Sequence, residues 1–287
     1  MTHKQLELQA EQIREDIITM LVEAGSGHSA GPLGLADIFT ALYFEIMDHR
    51  PKQPDWEGRD RLFLSNGHTV PVRYATMARA GYFPVKELAT LRKFGSRLQG
   101  HPERLRLPGL ESTSGPLGSG LSQAAGHALA LRMDGSRSHV YVITGDGELD
   151  EGNIWEAAMF AAKYKLSGLT AIIDRNNIQI DGPTDAVMPL GNVAAKFAAF
   201  GWYVIEIDGH NFQAIIDACN LAKTIAGLPV AIVAHTIAGK GVDYMEGDYH
   251  FHGYFMDAPG APAKADQARI ALRELRTLGG QIRSEHE

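Results

Sequence analysis

The chain has 287 residues, 21% of them charged, and carries a formal net charge of -7 at pH 7. This length supports one sizeable domain with a core beyond the marginal range, while the negative charge argues against nucleic acid or an anionic membrane as the main partner. A single cysteine, Cys219, excludes an internal disulfide framework and suits a reducing compartment.

In the N-terminal stretch, Leu6, Ile13, Ile17, Met20 and Leu21 fall at helical spacing among alternating charges. This predicts an amphipathic helix and not the unbroken apolar run of a signal peptide. No run of 18 apolar residues occurs anywhere, so a soluble, cytoplasmic protein with no membrane partner is expected. Residues 25–34 are rich in Gly, Ser and Pro and read as an ordered loop. RLFLS (61–65) reads as a strand, and 95–120 as a second loop. Next come a helical pattern over 121–132, the strand HVYVIT (139–144), a helix over 152–164 and the strand LTAIID (169–174). WYVIEI (202–207), a helix over 211–226 holding a buried Cys219, and VAIVAH (230–235) complete the alternation. Residues 263–278 form an amphipathic pattern ending at Gly279-Gly280, predicted to dock on this or a partner surface. Strands apolar throughout and separated by helices predict an α/β fold, a parallel sheet with helices on both faces.

In such a sheet the ligand lies beyond the carboxyl ends of the strands. RLFLS runs into NGH (66–68), HVYVIT into GDG (145–147), LTAIID into RNN (175–177), and VAIVAH into a loop closing with HFHG (250–253). The GDG turn is the informative one, because a glycine-rich strand-to-helix turn usually cradles phosphate, yet Asp146, Glu148, Asp150 and Glu151 line it. The third glycine of a dinucleotide fingerprint would fall at Asp150, and GSGHSA (25–30) follows a helical pattern where a strand is required. Carboxylates beside a phosphate are costly unless a divalent cation lies between them. Mg2+ takes oxygen ligands near octahedral geometry, with phosphate and water completing its shell. Asp146 can supply a carboxylate. Twenty-eight residues (148–175) separate Gly147 from Asn176, about one helix and one strand, which returns the chain to the same sheet edge. Asn176 can then offer its amide oxygen and Ile178 its carbonyl. A helix start favours acids in any case, which covers one or two of the others.

GDG, then a helix, then a strand ending in Asn, resembles the thiamine diphosphate-binding motif. The elements SGHSAGPLG (26–34), SNGH (65–68), GHPE (100–103), TSGPLGSG (113–120) and HFHG (250–253) together resemble the diphosphate-binding half of the transketolase family, in its order. The resemblance implies a thiamine diphosphate-binding domain over 1–262 and a C-terminal helix and tail over 263–287. It implies thiamine diphosphate and Mg2+, for which Ca2+ or Mn2+ can substitute, with Asp146, Asn176 and the Ile178 carbonyl on the metal. His68 and Gly147 would meet the cofactor at its diphosphate, Gly145 would be a further cofactor-binding residue, the Gly115 backbone would meet its aminopyrimidine, and Leu117 would pack beside it. His28, His101 and His252 would face the reacting sugar carbons, and Glu151 would join a carboxylate network between paired sites. Ser29-Ala30 departs from the Pro-Gly frequent in the family. Of 12 histidines, His49, His127, His139 and His210 read as ordinary structural residues. The spacing of the histidines does not suggest zinc.

A complete transketolase resembles this chain followed by a pyrimidine-binding and a C-terminal domain. The expected protein is therefore the N-terminal subunit of a split enzyme, with two copies of each chain in a heterotetramer acting on sugar phosphates. A ketol transferase for a branched or sulfonated ketose and a non-catalytic cofactor-binding or regulatory protein are the alternatives.

Overall fold

The structure, a computed structural model, describes residues 1–253 and 258–279. Helix α1 (His3–Ala24) opens with a capping box: the Thr2 hydroxyl accepts from the Gln5 N–H (3.2 Å), and Gln5 Oε1 accepts from the Thr2 N–H (2.8 Å). Its apolar stripe of Leu6, Ile13, Ile17 and Leu21 is fully buried, as the spacing predicts. Short helices α2 (Ala30–Gly34) and α3 (Ala36–Ala41) follow. Strand β1 (Arg61–Leu64) leads to α4 (Val70–Ala80), then α5 (Ser119–Met133), β2 (Val140–Gly145), α6 (Gly152–Lys163) and β3 (Leu169–Arg175). A two-stranded hairpin, β4 (Ile178–Gln179) and β5 (Gly182–Pro183), precedes α7 (Thr184–Val187) and α8 (Val193–Ala199). The remainder is β6 (Tyr203–Asp208), α9 (Phe212–Thr224), β7 (Val230–His235) and α10 (Lys264–Leu278).

The main sheet is wholly parallel, in the order β1-β2-β3-β7-β6. Strand alternation splits the apolar residues between two cores. Val140, Val142, Leu169, Ala171 and Ile173 pack under α5, α6 and α8, while Tyr141, Ile143, Ile172 and Ile232 face α1, α3, α4 and α9. The expected parallel sheet with helices on both faces is the architecture found. Cys219 is buried on α9, where apolar surroundings push its thiol up to about 12.

Five helices escape the periodicity reading: α2, inside the stretch read as an ordered loop, and α7 have only five and four residues, too few to show a period, and α3, α4 and α8 are the others. All six residues of α3 and nine of the eleven in α4 are buried, so neither presents the polar face that makes helical spacing visible. Helix α8 has only seven residues. Helix α10 docks on α1, with Ala271 and Leu275 fully buried and Arg276 pairing with Glu15 at 3.1 Å. It ends at Gly279, in left-handed conformation (φ 53°); Gly280 and the rest of the tail lie outside the described residues. Among the described residues no helix is long and apolar enough to cross a membrane.

A buried charge network fixes how the helical layer meets the sheet. The Arg14 guanidinium donates to both oxygens of Asp37 (3.0 and 2.6 Å), and Asp37 also accepts from His210 Nδ1 at 2.8 Å. His210 Nε2 in turn accepts from the Ile237 N–H at 2.8 Å, just beyond β7. Asp37→Asn is expected to cost about 3–5 kcal/mol, because Arg14 loses its counter-charge without gaining water; urea unfolding measures this. Burial by itself would raise the Asp37 carboxyl, but Arg14 and His210 hold it down to about 2, against roughly 3.9 for a free aspartate. The depressed pKa makes this stabilisation full above about pH 4 and progressively lost as pH falls toward 2. The stability gap between wild type and variant should close over that window.

Candidate active site

Four of the five strands of the main sheet lead polar residues to one cavity of about 330 Å3. Asn66 and His68 arrive after β1, Gly145, Asp146 and Gly147 after β2, Asp174 and Asn176 from the end of β3, and His252 from the loop after β7. His28 precedes α2, and His101, Gly115 and Leu117 come from the long segment before α5. Eleven of the twelve residues singled out in the sequence therefore meet here. Glu151 does not line the cavity; it is exposed and N-caps α6, close behind Gly118.

Four imidazoles form one wall. The His28 ring centroid lies 4.9 Å from that of His68, 5.5 Å from His252 and 6.5 Å from His101, and His68 and His252 are 4.9 Å apart. Burial, and then the proximity of His252 and His101, brings His28 down to about 4. Burial lowers His68, His101 and His252 as well. All four are therefore neutral near pH 7, each with one nitrogen able to accept a proton. By contrast His139 bonds Thr170 (2.8 Å) and His210 is spent on Asp37, the ordinary structural roles expected of them.

The GDG turn lines the same cavity. Asp146 is 1% exposed and accepts from the N–H groups of Gly147 (2.8 Å) and Asn177 (2.7 Å) and from Arg175 (3.0 Å). Asn176 donates to Asp174 (2.9 Å), and its Oδ1 accepts from the Ile178 N–H (3.1 Å). Asp174 also accepts from the Thr236 hydroxyl, yet burial pushes its carboxyl up to about 7. Glu148, 3% exposed, accepts from the Ser65 hydroxyl and from the N–H groups of Gly118 (2.5 Å) and Gly145 (3.0 Å). Among the described residues no group of three His, Cys, Asp or Glu side chains could hold a metal. A cation here would rest on Asp146 with amide and carbonyl oxygens, a donor set that suits Mg2+.

Sequence reasoning left Asn66, Glu148 and Asp174 without roles, although all three line the cavity. An acid closing an otherwise apolar strand was the available signal for Asp174. Ser29, where the family's Pro-Gly is replaced, is fully buried, and its hydroxyl spans the carbonyls of Phe251 (3.1 Å) and Gly253 (3.0 Å). The replacement thus ties the His252 turn to the His28 loop. Two buried polar atoms of lining residues, His28 Nδ1 and Asn66 Oδ1, have no protein partner. Buried polar groups of this kind are met by a ligand or water, so the cavity fits a polar occupant.

The profile of the transketolase thiamine diphosphate-binding domain matches residues 6–270. The 6-deoxy-6-sulfo-D-fructose transketolase subunit SqwG of Clostridium sp. (strain MSTE9) is 44% identical over 88% of this chain and 92% of its own length. An apulose-4-phosphate transketolase subunit from Phocaeicola vulgatus is 41% identical, over 94% and 93%. The transketolase of Treponema pallidum is 37% identical, and only 42% of it is covered. Among solved structures, the transketolase from Leishmania mexicana superposes with a TM-score of 0.82 at 31% identity, over 96% of this chain and 45% of that one. The chain belongs to the transketolase family, as a transketolase-type transferase chain built on its thiamine diphosphate-binding domain.

Proposed function

We propose that this chain is the N-terminal subunit of a two-subunit, Mg2+-dependent transketolase that moves a two-carbon ketol unit from a ketose phosphate to an aldose phosphate. The observation that carries the reading is one cavity lined both by four clustered imidazoles and by Asp146, Asn176 and Ile178. Thiamine diphosphate, when bound, supplies the carbon–carbon bond chemistry. Asp146, Asn176 and the Ile178 carbonyl would hold the metal, His68 and Gly147 the diphosphate, Gly115 and Leu117 the cofactor's rings, and Gly145 would line the cofactor beside them. His28, His101 and His252 hold sugar hydroxyls and accept or return protons at the carbinol oxygens, a role that neutral imidazoles fill near pH 7. Glu151, outside the cavity, would link paired sites.

Similarity to two chains named as transketolase subunits, matched over nearly their whole length, supports a complementary polypeptide carrying the pyrimidine-binding and C-terminal domains. Leu117 and Ile180, 37% and 64% exposed at the cavity rim, are apolar surface that such a partner would cover. The same two names favour one second reading, a ketol transferase for a sulfonated or otherwise unusual ketose.

The test is reconstitution. This chain alone, saturated with Mg2+ and cofactor, is expected to give no ketol transfer, and mixing with the complementary subunit should restore it in a particle of two copies of each. Turnover by this chain alone would sink the two-subunit reading. A donor panel of phosphorylated and sulfonated ketoses separates the two substrate readings by kcat/KM.

A further inference from the structure

The N-terminus of α5 raises a question of charge. It follows directly on the cavity-lining Leu117, it has no side-chain cap, and its N-cap Gly118 is in left-handed conformation (φ 80°). Only glycine fits there, since a Cβ would lie 1.9 Å from Asn153 Oδ1. A helix start of this kind leaves N–H groups unpaired and favours an anion. Here the acceptor that meets them is internal. Glu148 Oε1 accepts from the Gly118 N–H at 2.5 Å, and the same oxygen accepts from the Ser65 hydroxyl. Ser65 Oγ then accepts from the Gly120 N–H at 3.0 Å, so two donors at the start of α5 are satisfied through one carboxylate. The second oxygen, Oε2, accepts from the Gly145 N–H at 3.0 Å, at the start of the GDG turn.

We propose that Glu148 is a positioning residue whose buried carboxylate clasps the three loops that form the cofactor cradle. Those loops are the segment after β1 carrying His68, the segment before α5 carrying Gly115 and Leu117, and the GDG turn itself. No backbone hydrogen bond joins the Gly118 segment to Gly145 among the described residues, so the carboxylate is their link. The loops approach closely: a Cβ on Gly120 would lie 2.4 Å from Ser65 Cβ. This role for Glu148 rests on the cofactor reading given above and adds a residue to it. It also explains one of the acidic side chains of the GDG turn without assigning it to a metal.

The experiment uses the assembled two-subunit protein, titrated calorimetrically with thiamine diphosphate in saturating Mg2+. Glu148→Gln keeps the shape but turns one acceptor into a donor facing an N–H. The cofactor Kd is expected to rise roughly 10–100-fold, the range seen when a supporting shell is removed. The cofactor KM should rise by a larger factor than kcat falls. Ser65→Ala, a smaller change, should move Kd in the same direction and keeps the test open if Glu148→Gln does not fold. Leu275→Ala, a core loss on α10 remote from the cradle, should leave the Kd unchanged, which separates positioning from general destabilisation. Wild-type binding with Kd within twofold in both cradle variants overturns the proposal alone. Absence of Mg2+-dependent binding by the wild type overturns it together with the cofactor reading.

Discussion

Asp146→Ala is expected to abolish Mg2+-dependent thiamine diphosphate binding. The carboxylate is 1% exposed, faces the cavity, and already has its orientation fixed by two backbone N–H groups and Arg175. With three hydrogen bonds accepted, two of them by Oδ2, one lone-pair site remains on Oδ1, a hard oxygen ligand that cannot drift, the condition for a tight cation site. The alanine leaves Arg175 beside Thr184 and an exposed Asp185, a cation that can attract a diphosphate weakly but cannot organise one. Calorimetry should therefore show residual binding that no longer responds to Mg2+ or to its removal by chelator. Metal-dependent binding at wild-type strength would remove Asp146 from the cation site. Asp146→Asn offers the finer comparison, since it retains an oxygen but loses charge, and should bind with intermediate affinity.

Much of this site was legible because its residues sit at strand ends and in Gly-containing turns. A strand that is apolar throughout, then Asn-Gly-His or Gly-Asp-Gly, marks its own exit from the sheet, and the parallel topology sends every such exit to the same edge. The register agrees with that geometry: Gly145 pairs with Asp174, so the two polar turns are neighbours in the sheet. Beyond helices too short to show a period, such as α8, what escaped was of two kinds. Fully buried helices such as α3 carry no polar face, so periodicity is silent about them. Side chains that bridge loops distant in sequence, such as Glu148 to Ser65 and Gly118 or Ser29 to Phe251, look like ordinary polar residues until the chain is folded. Asp37, Arg14 and His210 belong to the same class, as no local pattern joins residues 173 positions apart.

His101→Ala should lower turnover by roughly 10²–10⁴-fold while leaving cofactor affinity nearly unchanged, the effect of removing a proton-transfer or orienting group. His101 lines the cavity but is the most open of the four imidazoles, farther from His28 than either His68 or His252. Gly115 lies against it, a Cβ there meeting His101 Cδ2 at 3.8 Å. This exposed position suits substrate, which must enter and leave at every turnover, rather than diphosphate. The pH dependence follows from the same environment. Burial, assisted by the nearby Arg92 guanidinium, lowers His101, and burial with its imidazole neighbours takes His28 to about 4. Lowered histidine pKa values keep the rings neutral until the pH falls below the ordinary value of roughly 6.5, and a covering partner would deepen that shift. The acid limb of kcat/KM for the assembled enzyme is thus expected below about pH 6.5, with proton uptake by the imidazoles removing activity as pH decreases. His28→Gln, which cannot titrate, should lose turnover and flatten that limb, whereas His101→Ala should lower the whole profile. Cofactor affinity falling in step with turnover in His101→Ala would instead place that imidazole on the cofactor.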